Sequence, residues 1–194
     1  MNKNDYSSTV YIADYTNYCS NQSNPPIQFK GVVITEQSPD LIASFELRNN
    51  NHIAFEAVNI EENSELLKRS DGTQASQCEC FFTDIRKDGG KPWMLFLEMK
   101  YCLPKNLRKN VRKALTQLEK TYSFLCEEKA YFAHKSVKPY FVIATPDGED
   151  LAPFDDYYLD QDEMLSIKEN YDGAQVYHSN VVEVMTAEYL RVPR

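Results

Sequence analysis

In the first half of the chain, apolar and β-branched residues gather in short runs kept apart by turn-forming residues. The runs 31–35, 41–47 and 52–58 read as strands, separated by Ser38-Pro39-Asp40 and Asn49-Asn50-Asn51. Short turns between such runs predict an antiparallel meander. Residues 61–69 carry a short helical pattern that Ser70-Asp71-Gly72 stops. The runs 78–85 and 93–102 flank Asp88-Gly89-Gly90, a strong turn signal, and predict a hairpin. From Pro104 the period changes. Leu107, Val111, Ala114, Leu115, Leu118, Tyr122 and Leu125 recur at helical spacing, with Pro104 suited to the first turn. The fully apolar run 140–144 follows, so strand, long helix and buried strand predict a parallel crossover. Residues 164–169 suggest a helical turn, and 175–184 has strand character.

The expected fold is therefore α/β (α+β). It has a single mixed sheet, holding a meander and a hairpin, flanked by helices. With 194 residues the chain is long enough for one domain with a substantial core, and no boundary divides 1–194. Only the first 26 residues give weak signals. They lack the apolar stretch of a signal peptide, and no run approaches the roughly 20 apolar residues that span a bilayer. The five cysteines show neither a CxxC pair nor zinc-knuckle spacing, and an odd count suits reduced thiols in a cytoplasm. His52, His134 and His178 lack metal-ligand spacing.

Charge changes the picture in one place. The formal net charge is -8, yet between Lys91 and Lys138 eleven Lys and Arg face four acids. Lys105, Arg108, Lys109, Arg112, Lys113 and Lys120 lie mostly off the apolar stripe of the helix, giving it a basic outer face. Such asymmetry points to an anionic ligand. Residues 147–163 are acidic, a solvated loop or a contact surface for a protein partner.

The run from Trp93 ends in Glu98-Met99-Lys100, a carboxylate and an ammonium two residues apart. Alternate residues of a strand share a face, so both project together from an element otherwise made to be buried. Buried charges are costly unless paired, metal-bound or at a wet cleft. A second acid on the neighbouring strand would complete a Mg²⁺ site, since Mg²⁺ takes oxygen ligands and keeps several waters. Phosphodiester cleavage needs that metal and a nearby cation. Glu79 and Asp84 are the candidates for the second acid. With the hairpin turning around Gly89, Glu79 lies opposite about Met99 and Asp84 opposite about Met94. Met94 is roughly 13 Å along the strand from Glu98, too far for one ion to bridge. A simple register puts Glu79 on the wrong face, so a bulge or one-residue offset is needed.

The order over 77–145 is an acidic strand (Cys78-Glu79-Cys80-Phe81-Phe82), a turn, an apolar strand ending Glu98-Met99-Lys100, a helix carrying Gln117-Leu118, and a buried strand. It resembles the PD-(D/E)xK, or restriction-endonuclease-like, nuclease superfamily. The resemblance implies a nuclease core, Mg²⁺ or Mn²⁺ held by Glu79 (or Asp84) and Glu98, Lys100 in catalysis and Gln117 in support. It further implies DNA as the partner, engaged by Lys105, Arg108, Lys109, Arg112 and Lys113, a homodimer or larger complex, and a setting in restriction or phage defence. Two departures stand: no Pro-Asp precedes the first strand, and the first acid would be Glu. The alternative is a catalytically inactive interaction or immunity subunit of the same fold that binds a protein partner.

Overall fold

The computed structural model describes residues 3–16, 31–84, 91–102, 104–128, 137–147 and 159–193. The signals read at 17–26, the Asp88-Gly89-Gly90 turn, His134 and most of the acidic run (148–158) lie outside them. The elements in chain order are β1 (Asn4–Tyr6), β2 (Val10–Asp14), β3 (Val32–Thr35), β4 (Phe45–Arg48), β5 (Phe55–Asn59) and a 3₁₀ helix (Glu61–Leu67). There follow β6 (Cys80–Asp84), β7 (Trp93–Met99), α1 (Leu107–Ser123), β8 (Lys138–Ala144), α2 (Gln161–Asn170), β9 (Gln175–His178), β10 (Val181–Thr186) and β11 (Tyr189–Arg191).

The strands form two mixed sheets rather than the single one expected. The larger has the order β1-β5-β6-β7-β8-β9, the smaller β11-β10-β4-β2-β3. Helices, large sheet and small sheet stack as three layers. The seven residues of β7 are all buried because both faces of that strand are covered. Met94 and Phe96 pack with Val111, Leu115, Leu118 and Tyr122 of α1. Trp93, Leu95, Leu97 and Met99 face Val10, Ile12, Phe45 and Leu47 of the small sheet.

The hairpin and the crossover are as the pattern predicts: β6 pairs antiparallel with β7, and β7 runs parallel to β8. The stripe of α1 from Leu107 to Tyr122 is buried, and Leu125 with it. The antiparallel meander is not formed. Strands β3 and β4 both pair with β2, one on each side, while β5 joins β1 and β6 in the other sheet. Turn chemistry marks where strands end but not which neighbour they take. Burial makes the assignment legible afterwards. Strand β4 alternates buried and half-buried residues, as suits a sheet with one open face. Strand β5 buries four of its five, as suits the covered interior. Residues 175–184 likewise split into β9 and β10, one in each sheet. Among the described residues no helix is long and apolar enough to cross a membrane.

Candidate functional site

At the C-terminal end of β7, around Glu98, the polar groups collect. Glu98 shares the helix-facing side with Phe96 and is 1 % exposed. Its Oε1 is ion-paired with Lys100 Nζ, two residues along the same face. Lys100 Nζ also donates to Gln117 Oε1 of α1 at 3.1 Å. Gln117 Nε2 in turn donates to the Gln77 carbonyl at 2.8 Å, tying the helix to the chain that enters β6. The other oxygen of Glu98, Oε2, is buried without a hydrogen-bond partner.

Glu79 reaches this place through an irregular register. Cys80 pairs with Leu97, yet the Glu79 N–H also donates to the Leu97 carbonyl at 3.1 Å. Two residues of one strand thus face one of the other, the signature of a β-bulge. The hairpin register differs by one from the expected pairing of Glu79 with Met99: continued from Cys80 and Leu97 it sets Glu79 against Glu98, so this offset, not the bulge, answers the parity problem. Glu79 Oε2 accepts the Met99 N–H at 3.0 Å, replacing a ladder carbonyl at the strand end. Asp84 is not brought to the site. It stands beyond Thr83, which pairs with Met94, and opposite Phe55. Four residues, about 13 Å of strand, separate it from Cys80.

The electrostatics follow from the burial. Desolvation pushes the Glu98 carboxyl up to about 7, against the pull of the Lys100 ammonium and of the Gln117 and Lys113 side chains. Desolvation raises Glu79 well above the carboxylate range, and the charges of Glu98 and Asp14 raise it further. Lys100 and the Met99 N–H act the other way. Two acids thus share one ammonium in a poorly hydrated place, and a second cation would relieve both. The thiols of Cys78 and Cys80 are pushed up by burial and by the same glutamates, so they are no nucleophiles.

Hard carboxylate oxygens, one of them unpartnered, fit Mg²⁺ or Mn²⁺, which is held by one or two carboxylates with water completing the shell. A closed three-ligand cage is not formed: among the described residues no three His, Cys, Asp or Glu side chains gather to hold a metal. Lys105, Arg108, Lys109, Arg112 and Lys113 are exposed along α1 and the turn before it. Lys113 lies one turn before Gln117, which brings this basic face to the edge of the site. Arg112 is already engaged, with Nη1 on Glu163 Oε1 of α2 at 2.6 Å.

Three neighbours carry no clear mark in the sequence. Tyr101 Oη donates to the Ala43 carbonyl at 2.8 Å and accepts the Asp14 N–H at 3.3 Å, so it joins the end of β7 to the small sheet. Asp14, at the end of β2, gives no signal because nothing local marks β2 as part of a second sheet. Thr121 is hidden in the apolar stripe of α1, although a hydroxyl there demands a partner. Comparison of the chain with protein families, curated proteins and solved structures finds no match.

Proposed function

We propose that the protein is a Mg²⁺- or Mn²⁺-dependent nuclease that hydrolyses phosphodiester bonds in DNA. The observation that carries this reading is the unpartnered Oε2 of Glu98, buried beside a second acid and an ammonium. A protein that buries a carboxylate oxygen with no donor forgoes a hydrogen bond, which is costly unless a cation completes it in the working state. Glu79 and Glu98 would hold the ion, which when bound supplies Lewis acidity at the phosphate and an acidified water. Lys100 holds its ammonium on the same face, where it can offset charge that develops on the phosphate. Gln117 fixes the direction of that ammonium. The basic face of α1 would hold the phosphate backbone beside it. The resemblance to restriction-endonuclease-like nucleases, drawn from 77–145, agrees with this order of elements and carries restriction or phage defence as the setting.

The test is incubation of plasmid DNA with the purified protein in Mg²⁺, in Mn²⁺ and in excess chelator. Cleavage that needs the ion and vanishes in Glu98→Ala and Lys100→Ala is the expected result. Absence of cleavage on double- and single-stranded DNA and RNA removes the reading.

A second reading has its own observation. Glu98 already pairs with Lys100 and is all but closed to solvent. On that view the pair is structural and the protein is an inactive partner-binding subunit, with the acidic end of α2 (Asp160, Asp162 and Glu163) at the contact. It expects no cleavage, and a partner complex that survives Glu98→Ala.

A further inference from the structure

Glu79 sits in a bulge, and a bulge does not hold itself. The strand ladder begins only at Cys80, so the run 76–78 lacks the regular pairing that would fix the residue following it. The backbone of that run is caught from α1 instead. Gln117 Nε2 donates to the Gln77 carbonyl, and the Cys78 N–H donates to Thr121 Oγ1 at 2.8 Å. Gln117 and Thr121 are one helical turn apart and so lie on the same face of α1. The two are also joined to each other, because Thr121 Oγ1 donates to the Gln117 carbonyl at 2.8 Å. Thr121 is fully buried among Leu118, Tyr122 and Leu125, where a hydroxyl costs free energy unless it is bonded. Glu79 itself is then pinned by its N–H on Leu97, by its carbonyl to the Ile60 N–H at 3.0 Å, and by its Oε2 on Met99.

We propose that Thr121 is a positioning residue: its hydroxyl fixes the backbone at Cys78 and thereby sets where the Glu79 carboxylate stands beside Glu98. The inference rests on the reading of these two acids as the cation site, but its geometry can be tested apart from that reading. A plain helix residue in this face would need only to be apolar. Thr121 provides one acceptor and one donor at the point where the chain switches from loop to ladder.

The experiment compares wild type with Thr121→Val, which keeps the shape and loses the hydroxyl, and with Thr121→Ser, which restores it. Amide hydrogen exchange by NMR is followed at Cys78, at Met99, whose N–H reports the Glu79 carboxylate, and at Phe96 as the core reference. Thr121→Val is expected to speed exchange at Cys78 and Met99 at least about tenfold with Phe96 unchanged, and Thr121→Ser to recover both. A purely structural role would move Phe96 as much as the other two, and this outcome, or a folded Thr121→Val with Met99 still protected, overturns the proposal. Should Thr121→Val not fold, exchange in the wild type decides. Cys78 and Met99 must then open together under mild denaturant, and Met99 opening while Cys78 stays protected overturns it equally. A Mn²⁺ titration of the same proteins separates the two claims. Wild type that binds no Mn²⁺ defeats the cation reading and leaves the exchange result to judge Thr121. Binding by wild type that weakens at least about tenfold in Thr121→Val, and returns in Thr121→Ser, supports both.

Discussion

Two glutamate–cation pairs touch the same helix, and they are built on opposite terms. Outside, Arg112 of α1 meets Glu163 of α2 with two parallel nitrogen–oxygen contacts, both side chains standing well in solvent. Glu163 has more than enough donors, since its Oε2 also accepts the Asp160 N–H in the box that caps α2. Inside, Glu98 is almost closed to water and Lys100 is half-buried, the second carboxylate lies close by, and one oxygen has no hydrogen-bond partner. The outer carboxyl is held below its usual range by Arg112, whereas the inner one is lifted by burial. By distance alone both are ion pairs. Only the inner one leaves a buried carboxylate oxygen without a hydrogen bond, and on the proposed reading that oxygen is where a cation would sit.

The hardest way to break this contrast is at the inner pair. If Glu98 and Lys100 serve a reaction, Glu98→Ala and Lys100→Ala each lower the rate of ion-dependent DNA cleavage by roughly 10²-fold or more, measured by single-turnover kinetics. Arg112→Ala leaves the chemical step within a few-fold. Equal losses for the inner and outer substitutions would erase the difference between the pairs.

Titration separates them next. The Glu98 carboxyl is lifted from 4.5 to about 7, so folding favours its protonated form. The stability it contributes is therefore complete below about pH 4.5 and is lost as pH rises through about 7. Glu98→Gln, neutral at every pH, is expected to raise the melting midpoint relative to wild type at pH 8 and to lose that advantage at pH 5. Mg²⁺ or Mn²⁺ should raise the wild-type midpoint at pH 8, leave it unmoved at pH 5, and do nothing for Glu98→Gln at either pH. A gap of opposite sign at pH 8 would mean that Lys100 satisfies Glu98 fully.

How much of this could be read from residues depends on the distance over which each interaction acts. The stripe of α1, the β6–β7 hairpin and the parallel β8 follow from local period and punctuation, and the structure has all three. Glu98 and Lys100 were legible because they share a strand face, whereas Gln117 was reached only through the resemblance to restriction-endonuclease-like nucleases. The second sheet was not legible. The runs that became β3 and β4 look alike in pattern to the run that became β5, and only pairing with β2, far earlier in the chain, separates them. Tyr101 and Asp14 were invisible for the same reason. The position of Glu79 turned on a one-residue offset of the hairpin register, which no residue type announces.

The basic face of α1 offers a smaller effect that sharpens the same contrast. Lys105, Arg108, Lys109 and Lys113 are exposed, while Arg112 is occupied by Glu163. If the face holds phosphates, Lys109→Ala or Lys113→Ala should weaken DNA binding at low salt and reduce the slope of log affinity against log salt by about 0.9 for each phosphate no longer neutralised. Arg112→Ala should change that slope less than either. Fluorescence anisotropy across a salt series reads both, and identical slopes for all variants would leave the face a soluble surface.

The smallest expected effect belongs to the outer pair alone. Exposed pairs return little, because each side chain gives up freedom to hold a geometry that water and salt already screen. Arg112→Ala should therefore shift the melting midpoint by about one degree at most. Glu163→Ala should cost more than Arg112→Ala, for it removes the return half of the capping box on Asp160 as well as the ion pair. Added salt should shrink the cost of Arg112→Ala toward zero and leave most of the cost of Glu163→Ala, since the capping bonds are short and local. If both substitutions cost the same and salt abolishes both, the capping bonds add nothing and Glu163 acts only as a charge.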